Sequence, residues 1–190
     1  DNFNCLQTDP AGSLVAHTQG SPPDGFAIWG IDVEPTAISV AQVCPELTRA
    51  VLLFFMTRSR APRGPADHSV PILVAPLIIA RKWLETTGDL DLFRRCREVV
   101  DALRAIVDDL LALRAPTAAL FPSRYSSDGP VGRRYDYGTN VKVWYAIESY
   151  AALLQLLGEA AEAAHYQQLA NEIRAAIDLT MLEPGPFGDM

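Results

Sequence analysis

Three short stretches of this 190-residue sequence gather the residue types that bind or cleave small polar molecules. In "DGFAIWGIDVEPT", Trp29, Asp32 and Glu34 come just ahead of a proline. An indole can stack on the apolar face of a sugar ring while a carboxylate accepts hydrogen bonds from its hydroxyls. Carboxylates there also complement the positive end of a helix, the simpler account for Glu34, with Asp32 open to either role. "APRGPADHSV" offers Asp67 and His68; His68 has no partner at metal-ligand spacing, so a hydrogen-bonding role is its plainest use. "SSDGPVGRRYDYGTN" is the richest. Asp128 occupies a Ser-Ser-Asp-Gly-Pro turn, where Asp is favoured for local backbone bonding and stays available for proton transfer. Arg133 and Arg134 can bind a carboxylate or support an acid, Tyr135, Tyr137 and Trp144 can supply sugar-facing apolar surface, though at helical spacing Trp144 fits the core equally, and Asn140 opens a helix, where it serves as a cap or binds a hydroxyl.

Other chemistries find no purchase. A formal net charge of −7 counts against nucleic acid and anionic membranes, whose binding draws on clustered Lys and Arg. Cys5, Cys44 and Cys96 are widely spaced, giving neither a disulfide framework nor a zinc site; they are expected as buried free thiols. No P-loop, nucleotide-binding glycine pattern or nucleophile elbow occurs, so no cofactor and no metal are expected. No apolar run reaches the roughly 20 residues of a membrane span. With no signal-like start, the cytoplasm is expected in preference to secretion.

The elements that must position these residues are helices. From 89 to 114, Leu92, Cys96, Val99, Leu103, Ile106, Leu110 and Leu113 recur at steps of three and four, which predicts one amphipathic helix with Asp89 as N-cap. The same pattern runs through 139–157 (Val143, Ile147, Tyr150, Leu154, Leu157) and 160–182 (Tyr166, Leu169, Ile173, Ile177, Thr180). Prolines mark helix starts at Pro35 and Pro45, Ser69 caps a helix that reaches Thr87, and Pro76 is a candidate kink. Turns at Cys44, Gly88 and Gly158 are short, whereas the connections before 35, at 58–68 and at 115–138 are long. Antiparallel hairpins with alternating short and long connections place every long loop on one face, where binding usually sits.

In the order of its segments the chain resembles the (α/α)6-barrel glycoside hydrolases, in particular the trehalase and family 63 glucosidase group. The resemblance is carried by "IWGIDVEPT", by "HSVPILVAPLIIARKWLETTGDLDLF", and by "YSSDGPVGRRYDYGTNVKVWYAIESYAALLQLLGEAAEAAHYQQLANEIRAAI", over about residues 25 to 183. It implies an all-α fold of antiparallel helical hairpins forming about half of an (α/α)6 toroid, since six hairpins complete such a ring and three are legible here. One partial catalytic domain over 1–190 is expected, with an extended segment at 1–24 and an active-site loop at 115–138. The resemblance implies that Asp128 is the general acid of an inverting hydrolysis of an α-linked glucoside or related small saccharide. Trp29, Asp32, His68, Arg133, Tyr137 and Asn140 are then expected to bind substrate. The partners it implies are a small carbohydrate and the remaining part of the same barrel, which would also carry the general base; Asp32 is the fallback within this chain. Two other classes are weighed beside it: a non-catalytic helical scaffold, and a toroid-fold polysaccharide lyase using Tyr137 or His68 as base.

Overall fold

A computed structural model of the chain describes residues 6–8, 14–17, 30–57, 69–126 and 130–182, with side chains described for 34–53, 69–126 and 130–182. Two short strands, β1 (Leu6–Thr8) and β2 (Leu14–His17), pair antiparallel with Leu6 opposite His17, and β2 lies against a helix of the first hairpin. From Gly30 onward the elements are helical: α1 (Gly30–Val40), α2 (Pro45–Thr57), α3 (Val70–Thr87), α4 (Asp91–Arg95), α5 (Arg97–Leu111), α6 (Tyr137–Leu157) and α7 (Ala160–Thr180). The protein is thus mostly helical, as expected, and the strand pair is the exception.

The helices form three hairpins closed by short turns. Gly88 and Gly158 end α3 and α6 with φ of 65° and 85°, the left-handed conformation that lets the chain reverse at once. Two rows result. α1, α3 and α6 pack side by side in that order, with α2 and α5 behind them and α7 against α6. Ion pairs join α7 to α5: Arg97 to Glu159 at 3.1 Å, Arg104 to Glu162 at 3.0 Å, and Arg114, just past α5, to Glu172 at 3.0 Å. The partners advance together along both helices, so α5 and α7 run parallel, as the second helices of successive hairpins should.

Burial follows the sequence pattern. α5 turns Val99, Leu103, Ile106 and Leu110 inward, and each large side chain so buried contributes on the order of 2 kcal/mol. α3 is buried almost all round, from Val70 to Leu84, because it is flanked on both sides and behind. A uniformly apolar helix of this kind can only be central.

Four expectations need correction. α1 begins at Gly30, so Pro35 lies inside it rather than at its start. There it forgoes one backbone bond, and packing of α1 on α3 offsets the loss. The single helix expected over 89–114 is broken at Cys96, whose φ of −109° and ψ of 75° end α4 and begin α5. Asp89 does cap locally: its Oδ1 accepts from the Asp91 N–H at 2.8 Å. Ser69 precedes α3, but its side chain makes no capping bond. The free thiols Cys44 and Cys96 are half-buried rather than buried, and Cys5 lies outside the described residues. Pro76 sits within α3 without interrupting it.

Candidate functional site

The N-terminal ends of α1, α3 and α6 meet at one end of the molecule, and specific bonds hold them there. Glu34, in the second turn of α1, places Oε2 at 2.9 Å from Nζ of Lys142 on α6. The contact is a buried ion pair. Lys142 is one of only two lysines in a chain otherwise charged by arginine. Glu34 is 6% exposed, and this burial pushes its carboxyl above the usual carboxylate range despite the opposing pull of Lys142. Thr139 lies three residues before Lys142, on the same side of α6, and is buried.

The loop from 115 to 136 is fastened to this end. Asn140, fully buried, accepts from the Phe121 N–H through Oδ1 at 2.8 Å, and its Nδ2 donates to the carbonyls of Phe121 (3.2 Å) and Asp136 (2.9 Å). Asp136 is the N-cap of α6, its Oδ2 accepting from the Thr139 N–H at 2.8 Å. Ser123 reaches the other way: its Oγ accepts from the Val70 N–H at 3.1 Å and donates to the Tyr125 carbonyl at 2.6 Å. Ser123 therefore supplies, from 53 residues away, the cap that Ser69 does not. Beyond it, Tyr125 and Pro130 form an antiparallel bridge and the Val131 N–H donates to the Arg124 carbonyl at 2.7 Å.

The residues singled out from sequence fall unevenly on this frame. Trp29, His68 and Asp128 lie outside the described residues, though each adjoins or nearly adjoins a described one: Gly30, Ser69, and the pair Ser126 and Pro130. Asp32 is in the first turn of α1, with its side chain outside the described set. Arg133 is exposed, and Tyr137 opens α6 with half its surface in solvent. Arg134 stacks its guanidinium 5.4 Å from the Tyr135 ring centre. Of the two roles open to Asn140, the bonds observed are those of an anchor. Glu34, expected as a first-turn carboxylate complementing the helix dipole, lies instead in the second turn of α1, buried and paired with Lys142. Sequence reasoning gave Glu34 only a helix-dipole role and passed over Lys142 and Ser123; a lysine within α6, one of two in the sequence, was the available signal.

Two other polar features lie elsewhere. Arg104 donates to both oxygens of Glu162 and to Glu159, near the far end of α6, and holds the Glu162 carboxyl below the usual range. The nearby Tyr150 hydroxyl is pushed up by burial, and its ring meets that of Tyr166 edge-on at 5.0 Å. A shallow cleft of about 670 Å³ opens behind the loop, between Arg114 to Ala119 and Glu172 and Ala175 of α7. Its charged groups, Arg114 and Glu172, are paired with each other. Among the described residues, no group of three or more His, Cys, Asp or Glu is placed to hold a metal ion, and no helix is long and apolar enough to cross a membrane. No family model matches the chain, and no curated protein matches it.

Proposed function

We propose that this chain is part of an (α/α)-toroid glycoside hydrolase that cleaves an α-linked glucoside or related small saccharide with inversion. The observation that carries the reading is the convergence of the first helix of each hairpin, α1, α3 and α6, on one polar end, with Glu34 of α1 paired to Lys142 of α6 across it. Such an end is where a toroid offers its loops to substrate, and the segments "IWGIDVEPT", "ADHSV" and "SSDGPVG" all enter or lie beside it in the chain.

In this reading Asp128 donates a proton to the leaving glycosidic oxygen while a second, ionised carboxylate activates water on the opposite face of the sugar. In inverting enzymes the two groups stand roughly 6.5–9.5 Å apart. Asp32 is the candidate for the second role within this chain, and a carboxylate elsewhere in a completed ring is the other. Trp29 and Tyr137 provide stacking surface, His68 and Arg133 bind hydroxyls, and Asn140 acts by holding the loop that bears the acid. The fastening of the described part of that loop through Phe121 and Ser123 supports a loop with a fixed place over slack surface.

The test is Asp128→Asn in the full-length protein, assayed on maltose and on an aryl α-glucoside. Loss of a general acid is expected to lower kcat by about 10²–10⁴-fold on maltose. The loss should be smaller on an aryl glycoside whose phenol is acidic enough to leave as its anion. Unchanged hydrolysis of both would remove Asp128 from the mechanism. Release of an unsaturated, ultraviolet-absorbing product would instead identify a lyase.

A further inference from the structure

Ser123 is buried and uses its one hydroxyl twice. Oγ accepts from the Val70 N–H at 3.1 Å, across 53 residues of sequence, and donates to the Tyr125 carbonyl at 2.6 Å, within the loop. A hydroxyl has a single proton. With that proton committed to Tyr125, only the lone pairs remain for Val70, so the two bonds set each other's direction. Capping alone would need only the first of them. The N–H groups at the start of a helix lack internal partners, and any nearby hydroxyl or water can serve them. Ser69 adjoins Val70, is buried, and has a hydroxyl that bonds to nothing. The Val70 N–H is taken instead by a serine that is tied to Tyr125.

The two bonds join two of the segments that carry candidate chemistry. Val70 follows His68 by two residues, and Tyr125 precedes Asp128 by three. On the other side of Asp128 in the chain, Pro130 pairs with Tyr125 and the Val131 N–H bonds to the Arg124 carbonyl at 2.7 Å. The residues described on both sides of Asp128 are therefore bonded to 124 and 125, and 125 is bonded through Ser123 to α3. Phe121, two residues before Ser123, is held by Asn140 of α6. The stretch 121–125 thus runs from an anchor on α6 to an anchor on α3. We propose that Ser123 is a positioning residue for the general acid, holding the segment that bears Asp128 in register with the entry to α3 that bears His68. The assignment rests on the glycoside-cleaving reading above and names what fixes its acid. Displacing a reacting group by about 1 Å can cost on the order of a hundredfold in rate, so one hydroxyl placed here has leverage on turnover.

The experiment uses the full-length protein with maltose and a series of aryl α-glucosides whose phenols grade in acidity. Ser123→Ala is expected to lower kcat on maltose by about 10–100-fold, with KM changed much less. The loss should shrink toward nothing as the phenol becomes acidic enough to leave as its anion. A serine that only stabilises the fold would instead lower every substrate in the same proportion, because fewer molecules would be folded. Ser123→Thr, which keeps the hydroxyl, should recover most of the loss. In a protein already carrying Asp128→Asn, adding Ser123→Ala should lower kcat no further, since residues acting through one group are not additive. If Ser123→Ala does not fold, Ser123→Cys takes its place, keeping the shape while substituting a weak donor for the hydroxyl. Equal losses across the substrate series, or a full additional loss in the double variant, overturn the positioning role. So does wild-type kcat on maltose in Ser123→Ala beside a crippled Asp128→Asn, which leaves the hydrolase reading standing. Unchanged hydrolysis of maltose by Asp128→Asn overturns that reading of the acid and the role of Ser123 with it.

Discussion

Replacing Asn140 by Ala separates an anchor from a ligand-binding group. The side chain makes three hydrogen bonds, at 2.8, 3.2 and 2.9 Å, two of them to the backbone of Phe121. Both Asn140 and Phe121 are fully buried, so water cannot take over. A net hydrogen bond is worth about 1 kcal/mol, and a buried backbone group left unpaired costs about 1–3 kcal/mol. The Asp136 carbonyl keeps a second partner, the Asn140 N–H at 3.1 Å, so the loss concentrates on Phe121. The expected destabilisation is about 3–4 kcal/mol, a large share of the roughly 5–15 kcal/mol that holds a domain folded. In urea, with a slope of about 2 kcal/mol per molar, the unfolding midpoint should drop by about 1.5–2 M. Hydrogen exchange at the Phe121 amide should accelerate by more than the global change requires. Asn140→Asp refines the test. One oxygen still accepts from Phe121, but the other meets two carbonyls, so the variant should be destabilised near neutral pH and recover partly as its carboxyl protonates. A midpoint within about 0.3 M of wild type for Asn140→Ala, with the Phe121 amide still protected, would refute the anchoring argument.

Ser123→Ala should cost about 1 kcal/mol by leaving the Val70 N–H uncapped, whereas Ser69→Ala should cost less than about 0.5 kcal/mol; the reverse order in denaturant titrations would return the cap to Ser69. Gly158→Ala meets no atom within 4 Å of the added Cβ, so its cost is that of the left-handed backbone, about 1–2 kcal/mol, and a melting temperature lowered by roughly 2–6 °C checks it. Burial raises the Glu34 carboxyl, so the folded state holds that proton more tightly than the unfolded one. Stability from this group is therefore present at low pH and lost as pH rises from the ordinary carboxylate range through the raised value. Stability measured against pH should fall more steeply over that window in wild type than in Glu34→Gln, and parallel curves would contradict it.

Most of the helical frame was legible in the residues because it is written as local period. α5, α6 and α7 repeat apolar positions every three or four residues, and Gly88 and Gly158 mark ends where a reversal needs positive φ. The misreadings occur where a distant contact overrules a local preference. Pro35 favours a helix start, yet the preceding turn is held by packing on α3 and by Lys142, 108 residues on in sequence. Ser69 has the type and place of a cap, yet Ser123 takes the bond. Nothing in the Leu92-to-Leu113 spacing hints at the break, because Cys96 interrupts the backbone without interrupting the apolar stripe. Where α1, α3 and α6 meet, sequence could not show which polar side chains are buried, since burial depends on three helices coming together.

α3 touches α1, α2, α5 and α6, members of all three hairpins, and offers an apolar surface to each. Neither the segment before it nor the segment after it can satisfy that surface alone. The three hairpins are therefore repeats in outline but not modules in behaviour. A mutation that loosens α3 at its greasy middle, far from any polar residue, would be felt at Glu34 and Asn140 alike, because one shared axle sets where both ends of the rim come to rest.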